Sequence, residues 1–160
     1  MSDRTDARHL RHALARFVTG VAVVTAAGPQ GAPLGLTINS FSSVSLEPPL
    51  VLVCIGHEAS LAAPLERTQH FAVNVLAAEQ EAAAHTFAAT DVDRFGGFMF
   101  ELGVGDVPIL AGSHAHVECR VHARHPAGDH TIIVGEVLHG ATADGEPLLY
   151  YHGRYGRFVP

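Results

Sequence analysis

His114-Ala115-His116-Val117-Glu118-Cys119-Arg120-Val121-His122-Ala123-Arg124-His125, then Pro126-Ala127-Gly128-Asp129-His130, then Thr131-Ile132-Ile133-Val134-Gly135-Glu136-Val137-Leu138-His139, is the stretch on which the fold turns. Its two outer parts read as long strands, and the link between them carries proline and glycine, so they form an antiparallel pair. Alternation puts His114, His116, Glu118, Arg120 and His122 on one face and Ala115, Val117, Cys119, Val121 and Ala123 on the other. Cys119 therefore points into the core while the histidines face elsewhere. Histidine, glutamate and cysteine are zinc-binding types, but on this pattern they read as a polar outer or interfacial face, and no metal is expected.

Outward from this pair the same signals recur. Residues 6–17 carry Leu10, Leu14 and Phe17 at helical spacing, with Thr5 or Asp6 as N-cap and Gly20 as the stop. Val21–Ala26 reads as a buried strand, Gly28-Pro29-Gln30-Gly31 as a turn and Leu34–Asn39 as the returning strand. After Glu47-Pro48-Pro49, where ladder hydrogen bonds cannot continue, Leu50–Ile55 is another buried strand. Ser60 is placed to cap a short helical turn before Arg67. His70–Leu76 alternates as a strand, Glu79–Ala89 is an alanine-rich helix, and Leu148–Tyr151 with Tyr155–Val159 closes the chain as a strand pair. Roughly seven or eight strands with two helices predict one domain over residues 1–160, mostly β with peripheral helices, arranged as an antiparallel barrel. Strand–helix alternation, the mark of a doubly wound sheet, is missing.

Composition narrows the chemistry. Hydrophobic residues make up 48% and charged residues 16%, which supplies a core and excludes long disordered stretches. The 10 basic residues are all arginine, against 16 acids and 12 histidines. A net charge of -6 with scattered arginines argues against nucleic acid as a partner. Without lysine there is no Schiff-base chemistry and no phosphate-loop lysine. Cys54 and Cys119 belong to no CxxC pair and read as reduced thiols in a cytoplasmic protein. The longest strongly apolar run, Leu50–Ile55, is far short of the about 20 residues of a membrane span, and no signal peptide is expected. A Gly-x-Ser-x-Gly elbow and a GxGxxG after a strand are both absent.

Two short stretches stay open on their own. Thr37, Asn39 and Ser40 are small hydrogen-bonding residues at a strand end. They can face a flat polar heterocycle or a phosphate, or simply close the strand by bonding their own backbone. Gly128-Asp129-His130 exposes an imidazole at a strand start, and by itself is a turn.

Taken in order, the motifs resemble a known family. Phe17-Val18-Thr19-Gly20-Val21-Ala22-Val23-Val24-Thr25 is similar to the opening signature of the short-chain flavin reductases, and Gly35-Leu36-Thr37-Ile38-Asn39-Ser40-Phe41-Ser42-Ser43 through Pro48-Pro49-Leu50-Val51-Leu52 to their central motif. Phe71-Ala72-Val73-Asn74-Val75-Leu76, Asp93-Arg94-Phe95, Glu118-Cys119, Gly128-Asp129-His130, Pro147-Leu148-Leu149-Tyr150 and Tyr155 follow in the family's order.

The resemblance implies a split β-barrel of the FMN-binding type, Greek-key-like, usually a homodimer. It also implies reduction of FMN or FAD by NADH or NADPH, commonly for a separate flavin-dependent monooxygenase. On that basis Thr37, Asn39 and Ser40 line the isoalloxazine and ribityl region, Cys54 and Ile55 offer mainly backbone contacts, and Ser60 approaches the phosphate. Phe87 and Arg94 fall toward the phosphate or adenylate side, and His130, with Tyr155 nearby, meets the nicotinamide nucleotide. Other classes share this barrel: non-catalytic flavin- or haem-binding proteins, and enzymes of the pyridoxamine-phosphate oxidase type. Gly128-Asp129-His130 and Thr37-Ile38-Asn39-Ser40 favour the reductase over both.

Overall fold

The computed structural model describes residues 6–159. Asp6 accepts a hydrogen bond from the Arg8 N–H at 3.0 Å and starts helix α1 (Ala7–Leu14); the alternative cap, Thr5, lies outside the described residues. The helix stops earlier than its apolar spacing predicts. Gly20 does not end it but belongs to strand β1 (Thr19–Gly20), which pairs with Leu149 and Tyr150. Leu10, Leu14 and Phe17 all stay exposed.

The strands that follow are β2 (Ala22–Ala27), β3 (Pro33–Ile38), β4 (Ser42–Leu46) and β5 (Pro49–Gly56). Helix α2 (Ala62–Arg67), β6 (His70–Val75) and helix α3 (Glu81–Ala88) come next. The chain continues through β7 (Phe100–Leu102), β8 (Pro108–Leu110), β9 (Ala115–Ala127), β10 (His130–Thr142), β11 (Leu148–Tyr151) and β12 (Arg154–Arg157). Strands β1, β4, β7 and β8 have no counterpart in the sequence expectations. The serine-rich β4 has exposed Val44 and Leu46 and is a strand because it pairs with β5 across Glu47-Pro48, not because of its composition.

Seven strands form one antiparallel sheet in the order β3-β2-β6-β9-β10-β5-β4. Its two edge strands, β3 and β4, are consecutive in the chain and joined only through Asn39, Ser40 and Phe41. So short a link cannot span a flat sheet of this width, so the sheet curls until its edges face each other. No ladder joins β3 to β4, and the barrel is split there. Ser40 spans the gap: its Oγ accepts from the Cys54 N–H and donates to the Cys54 carbonyl, both at 3.0 Å.

The barrel interior holds Val24, Val53, Ile55, Phe71, Val73, Cys119 and Ile133, closed at one end by Leu61 and Leu65. Val23 of β2 points the other way and, with Val21 just before the strand, meets Ala83, Ala84 and Phe87 of α3. The outer face of β2 and β6 carries a buried polar knot: the Asn74 side chain donates to the Val23 carbonyl and accepts from the Leu110 N–H, and Thr25 donates to the Pro108 carbonyl. These bonds fasten β8 onto the barrel.

Candidate active site

The split between β3 and β4 gathers the polar strip. A cleft of about 510 Å³ runs along Phe17–Ala22 and Ile38–Ser42, and a second of about 270 Å³ is lined by Val21, Thr37, Ile38, Asn39, Tyr150 and Tyr155. They share Val21, Ile38 and Asn39, so Thr37, Asn39, Ser40 and Tyr155 stand around one continuous hollow. Asn39 is exposed and its amide has no protein partner among the described residues. Thr37 donates its hydroxyl hydrogen to the Ala84 carbonyl at 2.8 Å, which leaves only its lone pairs for a ligand. Burial, then the neighbouring Tyr150 and Glu81, pushes the Tyr155 phenol up, so it stays a donor at neutral pH. Thr19 also lines the larger cleft, and its Oγ1 is buried without a hydrogen-bond partner.

A third hollow of about 400 Å³ is lined by Gly35, Ser60, Asp93 and Arg94 among others. The Arg94 guanidinium donates to the Ala89 carbonyl at 2.6 Å, the Gly35 carbonyl at 3.0 Å and Ser60 Oγ at 2.6 Å. None of these partners is charged, and no carboxylate pairs with Arg94 among the described residues. Its positive charge is therefore not neutralised by a carboxylate, although Asp91 and Asp93 line the same hollow and oppose a bound anion. Ser60 does not cap α2, whose N-cap is Leu61 without a side-chain bond; its hydroxyl turns to Arg94 instead.

Burial and committed hydrogen bonds narrow three of the expected contacts. The Phe87 ring is wholly buried against Phe95 and Phe98 and cannot meet a phosphate or an adenylate. It supports the site from behind: a Cβ on Gly35 would lie 2.6 Å from the Phe87 ring, so β3 can approach α3 only with glycine there. Ile55 has little left to offer beyond its backbone. Its side chain is in the barrel core, and because Cys54 turns both backbone groups to Ser40, the alternation of the ladder commits those of Ile55 to Thr131. By the same bonds the Cys54 N–H is taken, which leaves its carbonyl's second lone pair and its half-buried thiol.

His130 opens β10 at the tip of the β9–β10 hairpin, beside Gly56 on β5. Its Nδ1 lies 2.7 Å from Asp129 Oδ1, and the ring is about half exposed. The hydrogen bond to His130, then its charge, holds the Asp129 carboxyl below the usual range, so Asp129 stays an acceptor and Nδ1 carries the proton. Nε2 makes no hydrogen bond among the described residues and lies next to Gly56 of β5. Asp129 and Thr19 were not singled out as site residues, although both sit inside motifs that carried the resemblance.

A curled, split antiparallel sheet with polar clefts along the split defines a flavin-binding type of split β-barrel. Residues 14–158 match the flavin reductase like domain, and the chain belongs to that family. It is 46% identical over 153 residues to the FMN reductase (NADH) of Agrobacterium fabrum, covering 96% of this chain and 87% of that protein. It is 38% identical over 160 residues to a reductase subunit of a flavin-dependent monooxygenase from Rhodococcus jostii, covering 99% of this chain and 82% of that one. The NADH:FAD oxidoreductase of Streptomyces globisporus C-1027, solved with NAD and FAD fragments, superimposes with a TM-score of 0.93 at 44% identity, covering 100% of this chain and 97% of that one. No helix among the described residues is long and apolar enough to cross a membrane.

Proposed function

We propose that this protein is an NADH:flavin oxidoreductase that reduces FMN or FAD and works as a cytoplasmic homodimer supplying a separate oxygenase. The observation that carries the reading is the near-complete alignment with NADH-dependent reductases of FMN and FAD, together with the continuous polar hollow along the split. A flavin fits the donor set: the orphaned Thr19 hydroxyl, the unpaired Asn39 amide and the neutral Tyr155 phenol offer hydrogen bonds to a polar heterocycle. The chemistry a bound flavin supplies is acceptance of a hydride from a reduced nicotinamide.

What the chain contributes is placement. Asn39, Thr37 and Tyr155 orient the ring edge, and Ser40 holds the split at a fixed width by clamping Cys54. Ser60 already accepts from Arg94, so its own hydrogen is free for a phosphate oxygen, and one Arg94 N–H remains for the same anion. His130, oriented through Asp129, presents Nε2 to the nicotinamide nucleotide as a positioning contact. With no lysine in the chain, anionic charge falls to arginine, hydroxyls and backbone amides.

The dimer is supported by exposed Phe17 and Val18 on the rim of the larger cleft, where a second copy would bury them and exclude water from the site. The free thiols fit a reducing compartment. Anaerobic stopped-flow absorbance at the flavin band tests the activity. Bleaching by NADH of the purified protein marks a resident flavin, and bleaching only after flavin is added marks a substrate. No bleaching with NADH or NADPH rejects the reading. Light scattering during gel filtration tests the dimer.

A further inference from the structure

We propose that His116, Glu118 and His139 form a divalent-cation site of the zinc type at the end of the β9–β10 hairpin remote from His130. The ligand atoms of the three side chains lie within 4.8 Å of one another. Glu118 Oε1 is 3.0 Å from His139 Nδ1 and 3.4 Å from His116 Nε2. Donor atoms around a tetrahedral ion with bonds of about 2.1 Å sit about 3.4 Å apart, so small rotations of the imidazoles seat a cation.

The carboxylate is held for this task. Glu118 is nearly buried, and its Oε2 accepts the Val104 N–H at 2.6 Å, which fixes its plane and leaves Oε1 facing both rings. The third ligand comes from a register defect. Val137 pairs with Cys119 but His139 pairs with Glu118, so Leu138 is bulged out of β10. Without that bulge Leu138 would stand opposite Glu118. Bulges of this kind re-aim side chains. His116 also lines a cleft of about 500 Å³ with Glu101 and Ala141–Ala143, which gives an ion an entry path and water for the remaining positions. Two imidazoles and one carboxylate suit zinc, cobalt or nickel better than magnesium or calcium.

From His130 to His139 the strand advances about 30 Å at about 3.3 Å per residue, so the cation lies far from the proposed nicotinamide contact and staples the hairpin to the Gly103–Val104 segment. The test uses tag-free full-length protein dialysed against a chelator and titrated with zinc chloride by calorimetry, beside His139→Ala. His139 is exposed, so the variant is expected to fold. One equivalent per chain in the parent, at least about tenfold weaker in the variant, with a zinc-dependent rise in melting temperature lost in the variant and equal flavin turnover in both, is the expected result. No stoichiometric binding by the parent overturns the site, and so do equal affinity and equal thermal response in the two proteins, which assign zinc to other histidines. Glu118→Gln gives a second check, because it keeps the hydrogen-bonding shape and removes the anionic ligand.

Discussion

The two ends of the β9–β10 hairpin carry the same chemical pair, a histidine against a carboxylate, in opposite surroundings. At the tip, Asp129 is fully exposed and touches one imidazole. At the far end, Glu118 is buried and touches two imidazoles and a backbone N–H. Solvent makes the first pair weak in stability and free to meet a ligand. Burial makes the second one structural, because a desolvated carboxylate depends on the partners that replace its lost water. Spacing along the chain is a poor guide to which role a His–carboxylate pair plays; the packing over it decides.

The strongest way to break this contrast is Glu118→Ala. It strands the Val104 N–H and empties a buried site, and is expected to cost about 3 kcal/mol in urea unfolding. A cost below about 1 kcal/mol would put Glu118 in the same class as Asp129. The pH dependence sharpens the same point. Burial pushes the Glu118 carboxyl up, but the Val104 N–H, the His139 hydrogen bond and the charges of His139 and His116 outweigh it and hold it below its ordinary 4.5. Its contribution is therefore present above that value and lost as pH falls through the lower folded-state value. Urea midpoints from about pH 6 to about pH 3 should converge for the parent and Glu118→Gln toward the acid end.

His130→Ala comes next in size. It should raise KM for NADH about tenfold while flavin affinity stays unchanged, and unfolding should shift by no more than about 0.5 kcal/mol. Equal loss of both affinities would move His130 to the flavin side. Asp129→Asn is the smallest: the amide oxygen still accepts from Nδ1, so KM should rise only about threefold. An effect as large as that of His130→Ala would make the carboxylate itself a ligand contact.

Much of the barrel was legible because strands β2, β3, β5, β6, β9 and β10 advertise themselves by apolar runs or alternation between turn residues. Strand β4 was not, since serine has no strand preference and only pairing with β5 defines it. The site was legible where a polar residue ended a strand, as at Asn39 and Ser40. It was less legible at Phe87, where motif membership pointed to a ligand contact although the ring packs wholly inward. The helical spacing of Leu10, Leu14 and Phe17 marked a helix, but not that these side chains stay exposed.

From the sequence alone came the antiparallel, mostly β architecture, the inward-facing Cys119 and the missing lysines, because periodicity and composition are local properties, while the flavin reductase reading rested on a resemblance in the order of its motifs. Tertiary structure decided the rest. The curl of the sheet brings Asn39 beside Tyr155, α3 turns Phe87 away from solvent, and one bulged residue sets His139 opposite Glu118. Each depends on register and closure between distant segments, which a one-residue shift in pairing would undo.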